Sequence, residues 1–251
     1  MKLQDRIALV TGACSGIGRA VATHLARHGA EVAVNYPVAA EAGAATAVVR
    51  EIEAAGGRAW SVCADVRAES EVAAMVAEVK RRSGRIDILV NNAGIVRNAL
   101  ITDMPLEVWD EVMNVNLRGA FLCIKHALPD MLQRNYGRII NTASGLAFKG
   151  RPLGAAYCAS KAGLLGLMRT AVLEIGQRNV AVNCVAPTVT WTPINAATQS
   201  AERMEEIRRS IPKGRAGEID DLLPAYLFLA SAESDYFTGQ CLSPNGGNVM
   251  A

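Results

Sequence analysis

Charge of one sign is what this 251-residue chain most plainly lacks, with 26 Lys+Arg against 24 Asp+Glu and a formal net charge of +2. So even a balance offers no strong field to a nucleic acid or an anionic membrane, and the expected partner is a small molecule. Grouped cysteines are missing too. Cys14, Cys63, Cys123, Cys158, Cys184 and Cys241 lie far apart, with no CxxC pair and no Cys/His cluster of metal-ligand spacing. Structural zinc is therefore not expected, and no metal is assigned. Long hydrophobic runs are also absent. The opening MKLQDRIALVTG passes from charges into four apolar residues, too few for a secretory signal core. The uncharged stretch Asn179 to Ala201 carries Asn, Gln, Thr and two Pro, unsuited to a span of about 20 apolar residues. A cytoplasmic location with reduced thiols is expected. There is no linker, repeat or low-complexity segment. With 51% hydrophobic residues and only 22 Gly and 9 Pro, disorder and collagen-like repeats are excluded, and one domain over residues 1–251 is expected.

What the chain does have is a rhythm of short β-rich runs and longer helical stretches. Ile7 to Thr11 reads as a buried strand, Gly16 to His28 as a helix and Glu31 to Tyr36 as a second strand. An Ala-rich helix from about Ala39 to Ala55 stops at Gly56-Gly57. Arg58 to Cys63 is a third strand, Glu69 to Ser83 a helix and Ile86 to Asn91 a fourth strand. The second half continues with a helical region from Pro105 to about Gln133, strand Arg138 to Thr142, helix Tyr157 to Gly176 and strand Val180 to Val185. Such alternation implies right-handed crossovers and a parallel sheet covered on both faces. After Pro187 come about 30 residues with Trp191, Pro193 and a charged helical piece, Ala201 to Ser210, before an apolar helix, Asp221 to Ala230. An excursion of this length is expected to be a substrate lid, at about 188–215. The run Lys80-Arg81-Arg82 reads as solvated surface at a helix C-terminus, where cations favour the dipole.

Thr11-Gly12-Ala13-Cys14-Ser15-Gly16-Ile17-Gly18 follows a strand and opens a helix, the setting in which a glycine-rich turn exposes backbone N–H groups to a pyrophosphate. Glycine permits close backbone approach, and the helix N-terminus supplies about half a positive charge. Asn91-Asn92-Ala93-Gly94 ends the fourth strand, at the edge where doubly wound sheets bind ligands. Tyr157 and Lys161 are spaced i, i+4 and share a helix face. An ammonium beside a phenol favours the phenolate and lowers a pKa of about 10. Ser144 lies thirteen residues before Tyr157, just after a strand, where its hydroxyl can hold a substrate oxygen.

In order, spacing and strand context these elements resemble the short-chain dehydrogenase/reductase family over essentially the whole chain. The resemblance implies a single-domain α/β fold of Rossmann type, a doubly wound parallel sheet in three α/β/α layers. It also implies NAD(P)-dependent interconversion of a secondary alcohol and a ketone. The family's glycine motif falls on Thr11 through Gly18, with contacts at Gly12, Ser15, Gly16, Ile17 and Gly18. Its adenine-side contacts fall on Tyr36, Asp65 and Val66, and its NNAG element on Asn92, Ala93 and Gly94. The catalytic tetrad becomes Asn116, Ser144, Tyr157 and Lys161. Tyr157 would exchange the proton and Ser144 hold the oxygen. Lys161 would contact the nicotinamide ribose and depress the phenol's pKa, and Asn116 would hold a water at an irregularity in its helix. Pro187, Val189 and Thr192 match nicotinamide contacts. The family's helices corresponding to Pro105–Gln133 and Tyr157–Gly176 imply a homotetramer.

Three departures matter. Where the family usually has Pro-Gly, this chain has Pro187-Thr188, and a β-branched residue does not adopt glycine-only angles cheaply, so the turn there is expected to differ. At the end of the second strand stands Asn35-Tyr36-Pro37 in place of the acid of NAD-specific members. The basic positions of NADP-specific members hold Ser15 and Pro37, with Glu41 nearby. A 2'-phosphate without a cation loses more than a ribose without a carboxylate, which leans toward NAD, whereas a strand ending in Asn-Tyr resembles several NADP-using members, so the expected cofactor is NAD or NADP. The substrate pocket is expected along Ile95, Val96, Leu146 to Leu153, Trp191, Ile194 and Asn195, with Ser144, Leu146, Tyr157 and Trp191 on the substrate. Lys149 and Arg151 read as solvated loop cations, and His24 and His28 as surface residues. Two other readings stand beside the general alcohol/ketone enzyme: a 3-oxoacyl carrier-protein reductase, and a non-catalytic dinucleotide-binding sensor or scaffold, against which the intact tetrad argues.

Overall fold

The structure, a computed structural model, describes residues 1–188, 190 and 200–250, apart from the side chains of Ala201, Arg203, Met204 and Ile207. Its centre is a parallel seven-stranded sheet. The strands are β1 (Ile7–Val10), β2 (Glu31–Tyr36), β3 (Arg58–Cys63), β4 (Ile88–Asn91), β5 (Gly137–Thr142), β6 (Val180–Val185) and β7 (Cys241–Leu242), in the order β3-β2-β1-β4-β5-β6-β7. Apolar runs such as IALV and ILVN are buried on both faces, as central parallel strands must be, whereas the edge strand β3 is not.

Period-two alternation divides the core. Leu9, Ala33, Leu89, Ile139 and Val182 face one hydrophobic cluster, which contains residues of α3 (Glu69–Ser83), α5 (Gly119–Arg134) and α7 (Ala155–Ile175). Their neighbours Ala8, Val10, Val32, Val34, Ile88, Val90, Ile140 and Val185 face a second cluster, with residues of α1 (Gly16–Arg27), α2 (Ala42–Ala54) and α9 (Leu223–Ala230). The three-layer Rossmann-type architecture is thereby established. The chain runs outward from β1 to β2 and β3, then returns to place β4 on the other side of β1. A crevice opens above β1 and β4, where the strand order reverses.

Several boundaries move for local reasons. β4 begins at Ile88 rather than Ile86, because the buried Asp87 carboxylate takes the Ile7 N–H at 3.0 Å. The expected helix from Ala39 opens as a 3₁₀ turn, Ala39–Glu41, and α2 starts at Ala42. The region Pro105 to Gln133 is α4 (Leu106–Met113), a π-helical turn at Asn114–Arg118, and α5. Two elements have too few residues for periodicity to show: α6 (Leu146–Lys149) and β7. The charged piece forms α8 (Ala201–Arg209). The run Lys80 to Arg82 is more engaged than a solvated face: Lys80 pairs with Asp130, Arg81 and Arg82 with Glu78, and the Arg82 guanidinium also lies 4.6 Å from the Trp60 ring centre. Among the described residues no helix is long and apolar enough to cross a membrane.

Candidate functional site

A cavity of about 820 Å³ lies over the strand ends at the crevice. One side is the glycine-rich turn between β1 and α1. Gly12 has φ +60°, and a Cβ there would come closer than 3.0 Å to Ala93. Ser15 stands at the helix N-cap without a side-chain bond to the first turn, so the leading N–H groups of α1 receive no side-chain cap. Strand β2 supports the turn: Asn35 Oδ1 accepts the Gly12 N–H at 3.2 Å, and Asn35 O accepts that of Ala13. From β4, Asn92 Nδ2 donates to Thr11 O and Gly12 O at 3.1 Å, and the Thr11 hydroxyl accepts the N–H groups of Asn92 and Ala93. An open backbone cradle beside an uncapped helix N-terminus fits a pyrophosphate.

Two of the expected contact residues stand off the cavity wall. Gly18 does not line the cavity. A Cβ there would come closer than 3.0 Å to Gly12 O and Asn92 Nδ2, so this glycine lets α1 pack onto the turn. Tyr36 is half-buried and packs against the core, and Asn35 lies on the wall. Gly12, Ser15, Gly16, Ile17, Asp65, Val66, Asn92, Ala93, Gly94 and Pro187 all reach the cavity as expected. Asp65 carries a bidentate ion pair, with Arg67 Nε donating to Oδ1 at 3.0 Å and Nη2 to Oδ2 at 2.6 Å, and that guanidinium holds its carboxyl below the usual range.

Across the cavity, α7 presents Tyr157 and Lys161, and the segment after β5 presents Ser144. Lys161 is buried, its Nζ donating to Thr142 O at 2.6 Å and lying 5.7 Å from the Tyr157 ring centre. Burial lowers its pKa to about 8. The expected depression of the phenol by Lys161 is not what dominates here: burial raises the Tyr157 pKa, while the Ser144 hydroxyl and the Arg151 guanidinium pull it back. Below this group the hydroxyls of Thr142 and Tyr226 share a buried hydrogen bond of 2.8 Å.

Asn116 sits in the π-helical turn, the irregularity expected of it, yet it is not on the cavity wall. Its Oδ1 accepts the Ile95 N–H at 2.8 Å, and its Nδ2 donates to Ile95 O and to Ser160 Oγ, each at 3.0 Å. Ser160 in turn donates to Tyr157 O at 2.8 Å. A Cβ placed on Gly94 would lie 3.4 Å from both Asn116 Oδ1 and Lys161 Nζ. The glycine thus leaves the amide and the ammonium facing a shared space.

The far wall holds Ile95, Val96, Leu146, Lys149, Arg151 and Pro152. Arg151 is not the solvated cation expected from sequence. It is half-buried, donates to Asn98 Oδ1 at 2.5 Å and acts on the Tyr157 phenol. Lys149 donates to Asn248 Oδ1 at 2.6 Å, which also accepts the Thr188 hydroxyl at 2.8 Å. The described non-glycine residues with positive φ are Asp5, Asn135 and Leu153, so Thr188 needs no glycine-like angles. Val189, Trp191, Thr192, Ile194 and Asn195 lie outside the described residues, as does much of the expected lid. Among the lining residues that sequence reasoning missed are Arg67 and Asn248; they carry no motif, and only the fold brings them to the cavity. Among the described residues no three His, Cys, Asp or Glu side chains are grouped to hold a metal.

A phosphate-binding turn at the reversal of strand order, facing a phenol and an ammonium across one cavity, defines the class: an oxidoreductase taking a nicotinamide dinucleotide. Residues 12–248 match the family model described as enoyl-(acyl carrier protein) reductase. The chain is 43% identical over 243 residues to a 3-oxoacyl-[acyl-carrier-protein] reductase of Staphylococcus aureus, covering 97% of this chain and 98% of the relative. It is 38% identical to the enzyme of that name from Thermotoga maritima, with both chains fully covered. A crystal structure from Agrobacterium tumefaciens, provisionally assigned as a gluconate dehydrogenase, superposes with a TM-score of 0.95 at 31% identity, covering 100% of this chain and 98% of the other. The chain belongs to the short-chain dehydrogenase/reductase family. It is an NAD(P)-dependent oxidoreductase interconverting a secondary alcohol and a ketone.

Proposed function

We propose that this enzyme reduces the 3-oxo group of an acyl thioester, carried on an acidic carrier protein, to the 3-hydroxyl. The observation that carries the reading is the lining of the cavity. It joins Lys161, Tyr157 and Ser144 to the apolar Ile95, Val96 and Leu146, with Lys149 and Arg151 among its lining cations. Apolar walls suit an acyl chain and cations an acidic carrier. The names of the Staphylococcus aureus and Thermotoga maritima relatives support the same substrate.

In this reading the Tyr157 phenol gives its proton to the carbonyl oxygen as that oxygen becomes an alkoxide, and the Ser144 hydroxyl donates a hydrogen bond to the same atom. Lys161 binds the ribose of the nucleotide and stabilises the phenolate left behind. Asn116 positions the Ile95 backbone and, through Ser160, the start of α7. A reduced nicotinamide, when bound, supplies the hydride. Its pyrophosphate is held by the turn at Gly12, Ser15, Gly16 and Ile17. NAD is preferred to NADP, since Ser15 and Pro37 offer no cation. Residues 188–215 cover the substrate, a role supported by Thr188, Thr190 and Ser210 on the cavity wall. The enzyme works as a cytoplasmic homotetramer.

The test compares initial rates of nicotinamide oxidation with 3-oxoacyl carrier protein, 3-oxoacyl coenzyme A, simple ketones and keto sugars. Carrier-bound substrate should give the highest kcat/KM. A higher value with a simple ketone or a keto sugar acid would overturn the assignment.

A further inference from the structure

Polar side chains form a row across the sheet: Asn91 of β4 is the register partner of Asn141 of β5, Asn141 that of Cys184 of β6, and Cys184 that of Cys241 of β7. Side chains alternate between the faces of a strand, so the row lies on the face of Leu89, Ile139 and Val182, which α5 and α7 cover. Its two cysteines therefore stand side by side on neighbouring strands, about 4.8 Å apart along the hydrogen-bonding direction. No other two cysteines of the chain are register partners. Their surroundings differ. Cys184 is fully buried, its Sγ 3.9 Å from Leu164 O on α7, whereas Cys241 is half-buried on the edge strand. A hydrogen bond from the Cys184 thiol, helped by the Arg169 guanidinium, outweighs burial and holds the Cys241 thiol below its ordinary range. The same bond, together with burial, pushes the Cys184 thiol up.

A thiol at the sheet edge that ionises readily, beside a buried thiol that keeps its proton, is suited to reducing a hydroperoxide. We propose that Cys241 and Cys184 are a site of oxidative modification, a dithiol that peroxide converts to a disulfide and that thereby slows the enzyme reversibly. The Cys241 thiolate attacks one peroxide oxygen, the O–O bond breaks, and the departing hydroxide takes up a proton and leaves as water, with the sulfur now a sulfenic acid. The Cys184 sulfur gives up its proton and displaces that hydroxyl, which leaves as a second water while the S–S bond forms. Two thiols lose two electrons and two protons, and hydrogen peroxide becomes two waters. A disulfide holds its Cβ atoms about 3.8 Å apart, closer than adjacent strands hold theirs, so β7 and the end of β6 must move together and Cys184 must leave Leu164 O. Leu164 is one turn of α7 from Lys161. The same strand pair also carries Pro187 into the cavity wall, since the Ala186 N–H donates to Leu242 O and the Ser243 hydroxyl to Ala186 O. Closing the bridge therefore disturbs both the ammonium and the wall facing it. None of this depends on which ketone is reduced.

The test treats the reduced enzyme with an equimolar amount of hydrogen peroxide, alkylates the remaining thiols, and locates any bridge by mass mapping of the peptides. Turnover of whichever ketone the enzyme accepts is followed in parallel. A Cys184–Cys241 disulfide should form, turnover should fall by at least about five-fold, and dithiothreitol should restore it. Cys241→Ser and, separately, Cys184→Ala should keep their own turnover through the same treatment, with thermal melting showing that each is folded. Cys184 and Cys241 both still alkylated after peroxide would overturn the proposal, as would a bridge from another cysteine or between two chains. A Cys184–Cys241 bridge that leaves turnover unchanged would also refute it. So would a folded Cys241→Ser enzyme that peroxide slows as much as the parent, since the sensitive thiol would then be another, such as the exposed Cys63.

Discussion

Burial sets the chemistry of Tyr157 and Lys161 in opposite directions, raising the phenol and lowering the ammonium to about 8. A phenol that keeps its proton is a competent acid for reduction. Tyr157→Phe should lower turnover by about 10³-fold while leaving nucleotide affinity near its original value, since only the proton-exchanging oxygen is removed. Substantial residual turnover would end the assignment. Arg151 acts on the same phenol from the cavity wall, so Arg151→Gln should raise the phenol's pKa. In the oxidative direction, where the phenolate is needed, the rising limb of the pH profile should move to higher pH by up to about one unit. An unmoved limb would show that the guanidinium does not act on Tyr157.

Lys161 also bears on stability. Its folded pKa lies below its unfolded value of 10.5, so the native state holds fewer protons between about pH 8 and 10.5, and stability rises with pH across that window. Below pH 8 the buried ammonium is a net cost. Lys161→Met, although inactive, should therefore be more stable than the parent at pH 7 by about 1–3 kcal/mol, less whatever is lost by leaving Thr142 O without its donor. The gap should narrow as pH rises toward 10. Thermal melts at the two pH values decide the matter, and a parent more stable at pH 7 would mean that the hydrogen bond to Thr142 outweighs desolvation.

At the scale of elements, the site depends on one tight contact and one irregularity. Gly18→Ala would press a methyl group onto Gly12 O and the Asn92 amide, and overpacking of this kind costs roughly 1–3 kcal/mol. The turn should yield first, so nucleotide affinity should fall by at least about ten-fold, read by titrating the enzyme with reduced nucleotide and following nicotinamide fluorescence. The strands were legible because Ile7 to Val10 is a continuous apolar run, and Glu31 to Tyr36 and Val180 to Val185 are short Val-rich stretches. The helix carrying Tyr157 and Lys161 was legible for a similar reason. No such pattern announces a π-helical turn, since Asn114–Arg118 continues the helix's polar and apolar spacing and differs only in its hydrogen bonding. Asn248 was missed because it comes to the cavity from a chain segment whose neighbours in sequence say nothing of that destination. Arg151 was misread because charge alone does not reveal that Asn98 and Gly154 close around the side chain.

At the scale of the whole molecule, an apolar hollow among the described residues faces outward. A hollow of about 420 Å³ lies where the π-helical turn and α5 meet α7, lined by Met113, Leu117, Phe121, Gly163 and Leu167. Nearby small residues of α7, Ala162 and Gly166, allow close helix approach. Light scattering at micromolar concentration should return about four times the 26.6 kDa chain mass. Phe121→Glu should reduce that mass by burying a charge in the contact. A monomer mass for the unmodified enzyme would rule out the tetramer.

The sheet order has a consequence for synthesis on the ribosome. The hydrogen bonds described for the glycine-rich turn are closed within residues 11–93, through Asn35, Glu41, Val90, Asn92 and Ala93. Those beneath Lys161 wait for Thr142 and then Tyr226, and Thr188 waits for Asn248. An emerging chain can thus pair β1, β2, β3 and β4 and shape the nucleotide cradle well before the proton-handling side exists. During that interval the open edge of β4 is exposed, and only the arrival of β5 covers it. A nucleotide bound to such a half-built cradle would stabilise the paired strands by mass action.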